Sequence, residues 1–498
     1  MAASRHPDLT RLANAVLQPG FEGTTAPDWL LRRIADGLAS VVLFGRNIES
    51  PEQVAALTAT LRAENPDLIV AIDEEAGDVT RLEVATGASR PGNLALGAVD
   101  DTGLTERVAR DIGRDLRDVG VSLNYAPSAD VNSNPRNPVI GVRSFGSDTA
   151  LVARHTAAWV RGLQSAGVAA CVKHFPGHGD TSVDSHHDLP RVTADAASIA
   201  RVGLPPFTAA VDAGVRAIMT GHLLIPSLDP DLPATLSPRI LGDLLRGDLG
   251  YGGIVVSDGI DMSAVADAYG MPGATVRAIT AGVDAVCTGG EYATESVTAD
   301  LADALVAAVL DGTLPESRLA DAAARVAAFA AWSGGLARNA AAGEDAPDIG
   351  LAAARRAVDV RKGAGADFPL AADAHVIELS TTTTPAVDDA TPWGVAAPLT
   401  ALRPGTTSVR LTEADLTDGA LDRALAPAAG RPLVVAVRDA ARHRWSAEAL
   451  SALVGRRPDA LVVEMGLPTR DRPGAVHLVT YGATRVSGIA AAEVLTGA

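Results

Sequence analysis

Between Lys173 and Pro190 the chain reads Lys173-His-Phe-Pro-Gly-His-Gly-Asp-Thr-Ser-Val-Asp-Ser-His-His-Asp-Leu-Pro190, too many ionisable groups in too few positions for an ordinary loop. The stretch leaves an apolar run, Val168–Val172, that reads as a buried strand, so Lys173 and His174 fall where that strand ends. In parallel α/β architectures the open pocket lies at the carboxyl edge of the sheet, and functional side chains come from strand tips and the loops beyond. Gly177 and Gly179 let the backbone turn back over the strand end, and Asp184 and His186 are near enough in sequence to pair. Other apolar runs end in the same way: one in Asp73-Glu-Glu, one in His222 after Met219-Thr-Gly, and one in Ser257-Asp258. Charges at buried strand tips need partners or a task. A single tip of this kind reads equally well as a salt bridge closing the sheet; four on one rim favour a site.

Two chemistries compete for these residues. His174, His178, His186, His187, Asp180 and Asp184 have the imidazole and carboxylate groups that zinc takes, although no helical His-x-x-x-His pair is present. The alternative sets a carboxylate at a strand tip opposite a proton donor on a loop, as a retaining glycoside hydrolase requires. Asp258 and the Asp184/His186 pair supply those parts. Asp261, three residues past Asp258, is the rival nucleophile, and it lies beyond the strand end. The two cysteines, Cys171 and Cys287, sit in apolar runs and read as small buried hydrophobes, neither a nucleophile nor a metal pair.

The elements that must position these groups follow from the hydrophobic pattern. Short continuous apolar runs at Ala15–Leu17, Ser40–Phe44, Leu68–Ile72, Val121–Asn124, Ala169–Val172, Arg216–Met219, Gly253–Val256 and Val283–Cys287 alternate with Ala-rich helical stretches. Eight such strands separated by helices argue for a parallel sheet covered on its faces, and a closed (β/α)8 barrel fits the count. The helix Leu314–Ala331 is expected to end near Ser333-Gly-Gly-Leu, with a polar, small-residue linker near 335–350. The expected domains are therefore a catalytic barrel over 1–340 and a smaller α/β sandwich over 341–498. In the second, Ala352–Val360 reads as a helix, Ala374–Leu379, Pro432–Val437, Ala460–Met465 and Ala475–Thr480 as strands, and Ala447–Val454 as a helix. It has neither a Gly-x-Gly-x-x-Gly after a strand nor a Gly-Lys-Ser/Thr loop, so no nucleotide site is expected there.

Lys173-His-Phe-Pro-Gly-His-Gly with Asp184-Ser-His186 resembles the signature of the glycoside hydrolase family 3 β-N-acetylglucosaminidases. Ile72-Asp73-Glu-Glu, Pro138-Val-Ile-Gly-Val-Arg143-Ser-Phe, Pro233-Ala-Thr-Leu-Ser and Val256-Ser-Asp258-Gly-Ile-Asp-Met262 match in the family's order, and the smaller domain resembles that of two-domain members. The resemblance implies Asp258 as nucleophile and His186, paired with Asp184, as acid/base. It assigns Asp73, Arg143, Lys173 and His174 to the terminal sugar, with neither metal nor cofactor. The substrate it implies is a small carbohydrate with terminal β-linked N-acetylglucosamine, such as a muropeptide or chitin fragment, or a glycoside that also includes glucose. A histidine acid/base is neutral after giving up its proton and does not repel an anion, so phosphate is the alternative acceptor, with Lys173, Arg143 and His174 offering positive charge. The chain departs from the family pattern at Ala76 and Asp78, where the family has Gly and Arg; Asp78 is expected to reverse a charge near the pocket rim.

Composition bounds the remaining classes. Hydrophobic residues at 47% and charged residues at 20% are a globular profile without a membrane-length apolar run. A formal net charge of −18 argues against nucleic acid or an anionic membrane as partner. The first residues, Met-Ala-Ala-Ser-Arg-His-Pro-Asp, lack the basic patch and apolar core of a secretory signal, so a cytoplasmic location is expected. A sugar-binding protein on a degenerate barrel is the non-enzymatic reading.

Overall fold

The computed structural model describes residues 6–185, 188–289, 292–340, 348–382, 384 and 386–498. It divides into two units: Met1–Glu75, Thr105–Ile140 and Ser147–Asp345 form one, and Ala76–Leu104, Gly141–Gly146 and Ala346–Ala498 the other. Two stretches expected within the first domain, Ala76–Leu104 and Gly141–Gly146, thus group with the second.

The first unit holds eight parallel strands: β1 (Leu17–Pro19), β2 (Ser40–Leu43), β3 (Ile69–Ile72), β4 (Leu123–Asn124), β5 (Ala169–Phe175), β6 (Ala217–Thr220), β7 (Ile254–Ser257) and β8 (Val286–Thr288). Strands β2 to β7 pair in chain order, and β1 pairs with β8. The ring closes through a parallel bridge from Val256 on β7 to Ala285 beside β8, and through the Ser40 hydroxyl, which donates to the Leu17 carbonyl (3.1 Å). Alternation decides what fills the interior. Ala169 and Cys171, Ala217 and Met219, and Ile254 and Val256 point inward with Ile69, Ala71, Leu123 and Tyr125 into one buried cluster. Each larger aliphatic side chain removed from water there contributes about 1.5–3 kcal/mol. Val326, Phe329 and Ala330 of the helix Glu316–Arg338 join that cluster and cover one end of it. This helix continues through Gly334 and Gly335, past the point where the sequence was expected to end it, because Leu319, Val326 and Phe329 keep its apolar face buried.

The second unit is a six-stranded sheet of β9 (Asp359–Lys362), β10 (His375–Leu379), β11 (Thr407–Leu411), β12 (Leu433–Val437), β13 (Leu461–Glu464) and β14 (Val476–Val479), in the order β11-β10-β12-β13-β14-β9. All pairs are parallel except β14 with β9. Val376, Val434, Ala436 and Val463 face one layer of helices, and Ile377, Val435, Val437 and Val462 face the other. The expected helix Ala352–Val360 stops at Ala357, and β9 follows at once. β9 and β11 are edge strands with mostly exposed, charged or polar side chains, so neither shows the apolar run that marks the four central strands.

The segment Ala76–Leu104 is built into this unit. Asp78 is buried, with Oδ2 2.7 Å from an Arg438 guanidinium nitrogen and Oδ1 accepting from the Ala483 backbone N–H at 2.8 Å. The sequence was expected to bring a reversed charge to a pocket rim at Asp78; instead that charge is buried and paired with Arg438. Arg81 donates to the Ala386 carbonyl (3.0 Å) and Arg485 to the Gly87 carbonyl (3.2 Å). Ala76 has φ 62°, a left-handed conformation that glycine adopts without a Cβ penalty.

Candidate active site

The carboxyl ends of β3 to β7 carry the polar groups. After β3, the Asn124 side chain pins the turn: its Oδ1 accepts from the Glu74 N–H (2.9 Å) and its Nδ2 donates to the Glu74 carbonyl (2.8 Å). Asp73 and Glu75 flank that turn. Lys173, whose side chain is 3% exposed, places Nζ 2.5 Å from Asp73 Oδ1 and 2.7 Å from Glu75 Oε1. Strand β5 runs on to Phe175, so Lys173 and His174 lie inside the strand, which the sequence pattern was expected to end at Val172. Their peptide bond is cis.

His174 and His178 share a partner that the sequence reading missed. Asp130, fully buried, accepts from His174 Nδ1 (2.7 Å), from the Ser128 hydroxyl (3.0 Å) and from the backbone N–H groups of His178 (2.6 Å) and His174 (3.3 Å). Burial alone would raise this carboxyl's pKa, but the facing His174, with His178 and its N–H, outweighs burial and lowers it. Burial, reinforced by His174, pushes His178 down from 6.5 to about 4, so its ring is neutral at pH 7. His178 is also fastened to Thr181 Oγ1 (2.8 Å), and the Asn137 amide donates to its carbonyl (2.8 Å). The loop is thus braced internally. Gly179 belongs here for a steric reason: a Cβ would lie 1.7 Å from the Val131 carbonyl oxygen.

Asp258 follows β7. Its backbone N–H donates to Thr220 (3.2 Å), and its Oδ1 accepts from the Gly259 N–H (2.8 Å). His222 braces the same turn, with Nε2 2.9 Å from the Gly259 carbonyl and Nδ1 2.8 Å from Thr235 Oγ1. Asp261 is occupied elsewhere, accepting from the Gly289 N–H at 3.0 Å. Burial raises the Cys287 thiol pKa, and Asp261, Asp73 and Asp258 raise it further. Asp184 comes to the barrel rim: the carbonyl of its neighbour Ser185 accepts from the Ala264 N–H (3.4 Å), at the start of the helix that follows Asp258.

Of the sequence-derived residues, Asp73, Lys173, His174, Asp184 and Asp258 therefore lie in the first unit around the strand ends. Arg143 lies in the second, buried in the short turn Gly141–Arg143, its carbonyl accepting from Asn93 Nδ2 at 2.7 Å. His186 and His187 fall outside the described residues. Asp130 and Glu75 were overlooked as partners. Asp130 lies six residues past the strand Val121–Asn124, too far along the loop for the strand-tip pattern that marks Asp73, Lys173 and Asp258. Among the described residues, no group of three or more His, Cys, Asp or Glu is arranged to hold a metal ion. Cys171 and Cys287 are buried and unpaired.

In sequence and fold the chain matches known proteins. Residues 25–329 match the model of the glycosyl hydrolase family 3 N-terminal domain. Over 284 residues, 52% of this chain, it is 38% identical to beta-hexosaminidase A of Pseudoalteromonas piscicida, and it spans 47%, about half, of that protein's length. Over 266 residues it is 38% identical to a beta-hexosaminidase of Stenotrophomonas maltophilia and covers 77% of it. The solved structure of a glycoside hydrolase family 3 beta-N-acetylglucosaminidase from a Paenibacillus species superposes with a TM-score of 0.87 at 33% identity, covering 98% of this chain and 96% of that one.

Proposed function

The chain belongs to glycosyl hydrolase family 3, and on that premise we propose that it is an exo-acting β-N-acetylglucosaminidase working with retention of configuration. What supports this reading is that Asp73, Lys173 and Asp258 lie at or just past the carboxyl ends of parallel strands of one barrel, with Lys173 between Asp73 and Glu75, and with Ser185, next to Asp184, hydrogen-bonded to the helix that follows Asp258. The carboxylate of Asp258 attacks the anomeric carbon as the bond to the leaving oxygen breaks. His186, oriented by Asp184, gives its proton to that oxygen. Neutral His186 then takes a proton from water, whose oxygen displaces Asp258 from the anomeric carbon. Two inversions leave the configuration unchanged. Asp73, Lys173 and His174 hold the hydroxyls of the terminal sugar.

Water is the acceptor in this reading. Lys173 is held between two carboxylates, so that cluster is not a source of net positive charge for an incoming phosphate. The substrates we propose are short carbohydrates, muropeptide or chitin fragments. A cytoplasmic setting is supported by two buried cysteines that remain free thiols. The test is turnover of nitrophenyl β-N-acetylglucosaminide against the β-glucoside, each with and without phosphate. The reading requires the first to be faster, with free N-acetylglucosamine as product at a rate indifferent to phosphate. Faster turnover of the glucoside, or release of sugar 1-phosphate, would overturn it.

A further inference from the structure

We propose that Asp130 is a positioning residue for sugar binding: it fixes the proton of His174 on Nδ1, so that Nε2 presents a lone pair to a sugar hydroxyl. The inference rests on the function proposed above and extends it by one residue. Three donors besides the His174 ring meet the Asp130 carboxylate. The backbone N–H groups of His174 and His178 converge on Oδ1 at 3.3 and 2.6 Å, and the Ser128 hydroxyl reaches Oδ2 at 3.0 Å. An ionised carboxylate only accepts, so His174 Nδ1, 2.7 Å from Oδ2, must carry hydrogen. His174 is 95% buried, its ring edge against His178 at 5.7 Å between centroids, and its Nε2 has no hydrogen-bond partner among the described residues. The neighbouring cation, Lys173, is already engaged by Asp73 and Glu75. The pair thus divides the work. Lys173 orients Asp73 and donates, and His174 accepts, which lets the site match a hydroxyl with hydrogen on one side and a lone pair on the other. Asp130 also clamps the first residues of the loop that leads to Asp184, because the His178 N–H is held by the same carboxylate.

Asp130→Asn separates these roles. The amide oxygen can keep the backbone N–H groups, whereas the amide nitrogen faces His174 Nδ1 as a donor and drives the ring hydrogen to Nε2. The measurement is the imidazole nitrogen spectrum of histidine-15N-labelled protein, with His174 assigned by its loss in His174→Gln. The wild type should show the Nδ1–H form and Asp130→Asn the Nε2–H form. In parallel, KM for nitrophenyl N-acetylglucosaminide should rise about 3- to 10-fold, the size of a lost neutral hydrogen bond, while kcat changes less. A stabilising role alone would leave the tautomer and KM unmoved. An Nε2–H ring at His174 in the folded wild type, which does not depend on Asp130→Asn folding, or an Asp130→Asn protein with KM within twofold of wild type, would overturn the proposal. Absence of any wild-type glycosidase turnover would count against the proposed function, and the nitrogen spectrum would still decide the role of Asp130.

Discussion

Asp258 and Asp261 are three residues apart, and what holds each of them separates their roles. Asp261 accepts the Gly289 N–H and serves as a brace, whereas Asp258 sits at the end of β7 with its backbone tied to Thr220. Asp258→Ala should lower kcat by several orders of magnitude, because no neighbouring carboxylate can replace a covalent nucleophile. Asp261→Ala should keep most turnover and show its cost in melting temperature. Steady-state kinetics of the two purified variants checks both. His178 carries a prediction in pH. Its folded pKa is lowered from 6.5 to about 4, so between those values the unfolded chain binds the extra proton. Its contribution to stability is complete above about pH 6.5 and is lost as pH falls toward 4, by about 3 kcal/mol for a shift of this size. Chemical denaturation at pH 7.5 and 4.5 should show a smaller loss for His178→Asn than for wild type. At this scale the site was legible where a charge directly follows an apolar run, as at Asp73, Lys173 and Asp258. Asp130 escaped because it is six residues past Asn124, and only the fold shows that its carboxylate lies under His174.

The barrel strands and the four central strands of the second sheet could be read from sequence because burial on both faces demands unbroken apolar runs, as in Leu433–Val437 and Leu461–Glu464. Edge strands obey no such demand. Three of the four residues of Asp359–Lys362 are charged, the helix expected over Ala352–Val360 takes in its first two, and Thr407–Leu411 shows no continuous apolar run. Tertiary ion pairs are equally hidden. Asp78 was expected at a pocket rim, and only the structure shows it facing Arg438, 360 residues later in the chain. Both side chains are at most 9% exposed, so Arg438→Met leaves a buried carboxylate without its charge partner and should cost about 3–5 kcal/mol. The paired change Asp78→Asn with Arg438→Met should recover part of that loss. Unfolding midpoints of the single and double variants measure it, and a single variant as stable as wild type would show that the pair contributes nothing.

Over the whole molecule, the changeover between units falls at 345/346, within the linker expected near 335–350, and two earlier stretches, Ala76–Leu104 and Gly141–Gly146, also group with the C-terminal sheet. A protein ending at residue 340 would strip Asp78, Gly87 and Arg81 of their partners Arg438, Arg485 and Ala386. It should be insoluble, or at least 100-fold less active, as a consequence of unpaired buried groups; a soluble barrel with wild-type kcat/KM would contradict this division. No helix among the described residues is long and apolar enough to cross a membrane. The central claim is a covalent intermediate on Asp258. It is tested most directly by peptide mass spectrometry of the protein quenched with a fluorinated N-acetylglucosaminyl donor whose deglycosylation is slow. The account predicts one sugar per chain, attached to the peptide and side chain of Asp258; a label on Asp261 or any other residue, or turnover of that donor without a covalent adduct, would contradict it.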